Sequence, residues 1–293
     1  MKRIATLLLG FGLWGCDDPL KSVELIEEPR VLGARVEVTG APETAAPAPG
    51  ESATVSFLLA SPQLSQSLGF ALAACPAAGR NGSRSSCAGD VFATISSANG
   101  DAPEASLSFD VPADLDASGR LAILGIVCPD GSPSDDGTSC DGAAAGTPVQ
   151  LELELAHDDD VNRNPELEAD SIRFDDDTWP EMAAVDGDCA GLGFVEVAAG
   201  SKHSLGIALD EADRDPLPRT SKLDPTRESL QLSHFATAGD LTRAFETIAW
   251  DSSELDRRVE WTAPAEAGLV RFWLVLRDFR GGSAMASRAV CVQ

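Results

Sequence analysis

The sequence predicts an all-β chain, built as two β-sandwiches in tandem behind an export signal. Three observations lead there. Short apolar or alternating runs recur along the chain, separated by turn signals such as Pro49-Gly50, Asn81-Gly82, Asn99-Gly100 and Asp130-Gly131. The length of 293 residues suits two domains better than one. Seven cysteines are present, and setting aside the first, Cys16, leaves an even six.

The N-terminus reads as an export signal. Met1-Lys2-Arg3 is a positive start, and the apolar run from Ile4 to Trp14 is too short to span a bilayer. Leu13-Trp14-Gly15-Cys16 then resembles the lipobox of bacterial lipoproteins, with Leu13, Gly15 and Cys16 matching and Trp14 departing from the usual small residue. That resemblance implies cleavage after residue 15, diacylglycerol on the Cys16 thiol and acylation of the freed amine. The alternative is a plain secretory signal with an incidental cysteine. Asp17 resembles an inner-membrane retention signal of enteric bacteria. That rule does not extend to every Gram-negative group, so the choice of membrane stays open. Residues 16–28 form an acidic tether that spaces the first domain from the bilayer.

The first domain is expected over 29–156. Strands are predicted at 31–38, 54–59, 68–75, 91–96, 105–111, 121–128 and 149–155. Leu151-Glu152-Leu153-Glu154-Leu155 alternates strictly, as a half-buried strand should. Seven short strands in about 125 residues point to an immunoglobulin-like sandwich, with a small barrel as the alternative. The Cys–Trp–Cys pattern of true immunoglobulin domains is missing, because this stretch has no Trp.

The strand layout constrains the disulfides. Cys75 ends the third strand and Cys128 ends the sixth. In a sandwich these strands are antiparallel neighbours, so the two ends lie at opposite poles, about 17–20 Å apart. Bridged Cα atoms lie within about 7 Å. Local pairs Cys75–Cys87 and Cys128–Cys140 fit better, each stapling a Gly/Ser/Asp loop. Such staples hold loop shape, or stiffen loops that bind. Cys189 and Cys291 then pair by elimination. No CxxC spacing occurs, which argues against zinc or redox chemistry. An exported chain with six such cysteines belongs in an oxidising compartment.

Residues 157–166 are the predicted linker. Asp160-Val161-Asn162-Arg163-Asn164-Pro165 resembles the calcium-binding linker between cadherin repeats, although Arg163 stands in an acidic position and the spacing is one residue short. The resemblance makes Asp158, Asp160, Asn162 and Asn164 candidate calcium ligands, with calcium as the one possible cofactor. The competing reading is a solvated turn bonded to its own backbone. No metal site is assigned.

The second domain is expected over 167–293, with strands at 193–197, 204–209, 229–237, 242–250, 259–262, 269–278 and 284–292. Residues 211–227 read as a long polar loop, functional or mobile. Trp250, Trp261 and Trp273 read as core or near-core, with a sugar-binding platform as the alternative. The closing strands, with Arg277-Asp278 and Gly281-Gly282 between them, resemble the last hairpin of PKD-type modules. The lipobox, Pro29-Arg30-Val31-Leu32, Asn162-Arg163-Asn164-Pro165 and the end from Arg277 to Val292 together resemble uncharacterised lipoproteins abundant in myxobacteria. No activity comes with that resemblance.

A formal charge of −25 sets the chain against nucleic acid and anionic surfaces. The G-x-S-x-G elbow, the phosphate-binding loop and H-E-x-x-H are all absent. His157, His203 and His234 are the only histidines. A catalytic triad needs three groups converging in space, which a sequence does not reveal. The expected function is therefore non-enzymatic. The chain reads as a lipid-anchored envelope protein, facing the periplasm or the cell surface, that serves binding, adhesion or spacing. Its partners would be the membrane, through the lipid, and an unidentified protein or glycan, with no nucleic acid. A glycan hydrolase and a calcium-dependent adhesion module are the alternatives.

Overall fold

The computed structural model describes residues 22–63, 68–78, 85–97, 105–116, 119–129, 131–142, 146–156, 162–181, 189–217 and 225–293. Cys16, the cleavage site, Asp158 and Asp160 lie outside the described residues. The chain is all-β, as expected, with one 3₁₀ turn at Glu211–Asp213 among the described residues.

The first sandwich comprises β1 (Arg30–Val38), β2 (Ser52–Ala60), β3 (Leu68–Pro76), β4 (Ala93–Ser97), β5 (Ala105–Asp110), β6 (Arg120–Pro129), β7 (Ser132–Pro133), β8 (Cys140–Asp141) and β9 (Thr147–Glu154). One sheet runs β1-β2-β5 and the other β4-β3-β6-β9. Alternation along β5 sends Ala105, Leu107 and Phe109 inward and leaves Ser108 and Asp110 exposed. They meet Val55, Phe57, Phe70, Leu72, Leu121 and Ile123 in one apolar core. Each fully buried side chain of this size contributes about 1.5–3 kcal/mol.

Strand β6 is buried on both faces. Leu121, Ile123 and Val127 point into the core. Ile126 and Cys128 are buried too, because the loop carrying β7 and β8 folds back over that end of the outer face; Ala122, also buried, lies at the other end, opposite Cys75. A Cβ on Gly137 would meet Ala71 of β3 at 3.2 Å, and one on Gly69 would strike Gly131 O. The Cys128–Cys140 bridge pins this loop.

The second sandwich comprises β10 (Ile172–Phe174), β11 (Asp177–Thr178), β12 (Val195–Val197), β13 (Lys202–Ala208), β14 (Leu230–Ala236), β15 (Asp240–Leu241), β16 (Phe245–Ile248), β17 (Asp256–Thr262), β18 (Gly268–Arg277) and β19 (Ser283–Val292). Its sheets run β11-β10-β13-β17-β15 and β12-β19-β18-β14-β16. Strand β12 is parallel to β19, so the start of the domain closes on its end. Trp179, Trp261, Phe174 and Phe272 form an edge-to-face stack at the centre, with centroids 5.0–6.4 Å apart. The indole N–H of Trp179 donates to Ala289 O and that of Trp261 to Ala238 O.

The three disulfides are Cys75–Cys87, Cys128–Cys140 and Cys189–Cys291, the pairing expected from the strand layout. In the β3/β6 register Cys75 faces Ala122 and Cys128 faces Gly69, so the two cysteines do stand at opposite ends. Trp261 is core, but Trp273 is not part of the second core. It packs with Ile26, Leu32, Ala60 and Val275, drawn from both sandwiches and the N-terminal segment.

Replacing Cys189 and Cys291 by Ser should cost about 2–5 kcal/mol, because the bridge closes a long loop. Denaturant unfolding of the variant against the parent measures it.

Candidate functional site

The feature that draws most on both sandwiches is their junction. Strand β1 is the end strand of its sheet, and its outward carbonyls recur at every second residue. Those of Leu32, Ala34 and Val36 are each taken by a side chain from beyond the first sandwich. Arg277 donates to Leu32 O. Ser283 Oγ donates to Ala34 O at 2.5 Å. Asn164 Nδ2 donates to Val36 O at 2.6 Å. The series ends where Val38 O accepts from Ala41 N at 3.0 Å. Arg35 returns a bond to Ser283 O at 2.8 Å, and Asn164 Oδ1 accepts from Ser283 N at 3.0 Å.

The linker is part of this joint. Asn164 N donates to Glu43 O and Ala45 N donates to Asn162 O, so residues 162–164 pair with 43–45. The solvated-turn reading fails for this half of the linker, since Asn162 and Asn164 are only 3% and 4% exposed. Asn164, a candidate calcium ligand on the cadherin resemblance, spends its amide on the β1 edge. Neither side-chain atom of Asn162 reaches hydrogen-bond geometry, yet its amide sits close enough to Asp278 to favour the charged carboxylate. Among the described residues no group of three His, Cys, Asp or Glu side chains is arranged to hold a metal.

Behind Asn162 and Asn164 lies a network of buried charge. The Asp278 carboxylate caps the β18–β19 turn, accepting from Arg280 N, Gly281 N and Gly282 N at 2.7–3.0 Å. A Cβ on Gly282 would strike both this carboxylate and Arg163 O, so the turn meets the linker only with glycine there. Burial raises the Asp278 pKa above the usual carboxylate value, against these bonds. Glu228 pairs with Arg280 at 2.6 Å. Burial pushes Glu228 up to about 7, helped by the charges of Asp278 and Asp215 and opposed by Arg280. Asp215 accepts from Arg163 N at 2.9 Å. Arg214 is buried and donates to Ala249 O, Trp250 O, Ser252 O and Glu211. The described ends of the loop at 211–217 and 225–227 are therefore pinned.

Two recesses flank the junction. One, of about 550 Å³, is lined by Glu43, Glu166, Glu168, Asp210, Asp213 and Asp215, with Arg163 and Asn164. Burial raises the Asp213 pKa; the Asp210 N–H opposes that rise, and the charges of Asp210 and Glu166 add to it. Its field disfavours anions. The other, of about 480 Å³, lies between β1, β9 and the β18–β19 turn, beside exposed Phe279, whose φ is +65°.

A separate cluster lies in the second sandwich. Ser201 Oγ is 2.7 Å from His203 Nε2, and His203 Nδ1 is 3.0 Å from Asp175 Oδ2. Asp175 sits at φ +55° in the β10–β11 turn and also accepts from Ser204 N at 2.9 Å. Burial pushes the Asp175 pKa up, but the bonds from His203 and Ser204 and the His203 charge outweigh it, so the pKa is lowered. The His203 ring lies against Phe174, centroids 4.9 Å apart. The distances suit a hydrolytic triad; the surroundings do not. Ser201 Oγ donates to Ala198 O at 2.5 Å. Ser201 N also donates to Ala198 O, and Gly200 N to Pro264 O, so neither is free to stabilise an oxyanion. Of the other two histidines, His157 lies outside the described residues. His234 is buried in β14, with Nδ1 unpartnered.

A scan against protein-family models gives no match, and no curated protein matches. Among solved structures, an adhesin, InvE of Yersinia pseudotuberculosis, is 10% identical, with 90% of this chain and 60% of that one covered and a TM-score of 0.22. The chain thus spans about three fifths of that structure's length. A TM-score of that size is too low to carry a statement about function.

Two titrations should oppose each other. Folded Glu228 holds its proton up to about pH 7. Its contribution to stability is complete below about pH 4.5 and lost as pH rises through 7. Burial, helped by the Arg243 charge, lowers His234 to about 4. Its contribution is complete above about pH 6.5 and lost as pH falls through 4. Each amounts to about 3 kcal/mol. Denaturation across pH 4–7 should show Glu228→Gln losing stability toward acid and His234→Gln losing it toward neutrality. Asn164→Ala, which strands Val36 O and Ser283 N, should cost about 1–3 kcal/mol in the same assay.

Proposed function

We propose that this chain is a lipid-anchored cell-envelope protein whose two sandwiches act together as a stiff, non-enzymatic module for binding, adhesion or spacing. The observation that carries it is the sealed junction. Among the described residues, edge bonds along β1, the apolar patch around Trp273 and the buried Asp278–Arg280–Glu228 network fasten one sandwich to the other. Flexible linkers let modules reorient; this arrangement holds any surface on one sandwich at a fixed distance and angle from the other. Three disulfides suit an oxidising compartment outside the cytoplasm. Among the described residues no helix is long and apolar enough to cross a membrane, and the anchor proposed is the lipid on Cys16. Two or more acyl chains hold a protein stably at a bilayer, where one does not. The partner proposed is a protein or glycan of the envelope or of a neighbouring cell.

Among the described residues, the Ser201–His203–Asp175 contact is the feature that favours a hydrolase instead. The occupied Ser201 proton and N–H groups speak against it. In this reading the three residues tie the β10–β11 turn to β13.

Cys16→Ser should move the protein from the membrane to the soluble fraction of fractionated cells, with its fold unchanged. Retention in the membrane would overturn the lipid anchor. Ser201 should stay unlabelled by a fluorophosphonate probe; stoichiometric labelling would reverse the choice between module and enzyme.

A further inference from the structure

The N-terminal segment does not lead directly into the first sandwich. Before β1 begins, it pairs with the second. Ala236 N donates to Glu24 O at 2.9 Å, and Ile26 N donates to Ala236 O at 2.8 Å. This parallel bridge takes up the edge of β14 where β16 stops pairing, just beyond the Ser233–Phe245 pair. Ile26 is buried against Trp273 and Val275. Arg30 clamps the strap, donating to Val23 O and Leu25 O at 2.9 and 2.8 Å. Part of the stretch 16–28, read from the sequence as a tether to the first domain, thus bridges to the edge of the second domain's sheet.

This placement has a geometric consequence, which rests on the lipid-anchor reading above. Cys16 lies six residues before Ser22. Even a fully extended chain spans only about 20 Å over that distance. Were the chain free up to Arg30, it would span about 50 Å. The strap thus brings the membrane close to one flank of the second sandwich. On the same sheet edge lie two large apolar side chains that the fold leaves outside, Val23 at 61% and Phe245 at 56% exposed. Leu25, two residues after Val23, bridges to Ala236, and Phe245 pairs with Ser233; these two points on β14 are three residues or about 10 Å apart. Glu24 and Glu246 on this flank are each engaged, by Ser22 and Arg243.

We propose that this flank, formed by the strap and β16, rests on the lipid bilayer, with Val23 and Phe245 at headgroup level. The protein then lies side-on, with its second domain as close to the membrane as its first. The contact is too small to bind a membrane alone. A short tether makes it effective by holding the flank at high local concentration over the surface. The far edge of the first sandwich, strand β4, is left facing away from the bilayer and toward a partner.

The test uses the full-length protein, processed in a Gram-negative host and reconstituted into uncharged phosphatidylethanolamine–phosphatidylcholine vesicles carrying a nitroxide on the headgroup, because the acidic chain is repelled by anionic lipid. A coumarin amino acid is placed in turn at position 245, on the flank, and at position 95, on β4. Intact mass reports the lipid on Cys16. The expected result is a lipidated protein with quenching several-fold stronger at 245 than at 95. Equal quenching, or stronger quenching at 95, in a lipidated protein would overturn the side-on arrangement and leave the lipid anchor standing. An unmodified Cys16 would overturn both. A long Gly/Ser insert after Asp18 leaves every described contact intact and should weaken quenching at 245. Unchanged quenching there would overturn the role given to the short tether.

Discussion

The structure depends on how one sheet edge is closed. A sandwich leaves its end strands with unpaired backbone groups, and an exposed edge invites pairing with another chain. Strand β1 is such an edge, and its outward carbonyls at Leu32, Ala34 and Val36 would otherwise require water. Arg277, Ser283 and Asn164 supply the donors instead. The same three bonds that protect the edge also fasten the second sandwich to the first. Edge protection and domain coupling are thus one set of contacts.

That coupling explains why burial runs so deep on both sides of the joint. Strand β18 is buried at every position from Val270 to Leu276 except Arg271. Its inward residues fill the second core. Trp273 and Val275 face the other way, toward Ile26, Leu32 and Ala60. Charge follows the same geometry. Asp278, Glu228 and Asp215 are tolerated in the interior because backbone N–H groups and Arg280 surround them. Breaking one member of such a network costs more than the pair itself contributes, because it leaves a buried charge uncompensated. Four arginines of this acidic chain, Arg35, Arg163, Arg277 and Arg280, bond across or beside the joint, Arg163 through its backbone N–H.

Strand positions and disulfide pairing were legible in the sequence for a local reason. Alternation, turn residues and loop lengths are properties of consecutive residues, and all fourteen strands predicted from them are present, shifted by a few residues at most. The short β7, β8, β10, β11 and β15 escaped notice because two or three residues carry no periodicity. The linker misled because Asp, Asn and Pro signal a solvated turn, and nothing local reports that Asn162 and Asn164 face another part of the chain. The loop at 211–227 likewise looked purely polar, although Arg214 and Asp215 in it are buried.

The sequence by itself determined the all-β class, the two strand sets and which cysteines could reach each other, because each follows from short-range pattern and chain reach. Only the tertiary structure decided that the N-terminal strap bridges to the second sandwich, that Asn164 seals an edge instead of waiting for an ion, and that Ser201, His203 and Asp175 meet. Those outcomes depend on which residues become neighbours across long separations. That choice is made by the whole set of buried surfaces together.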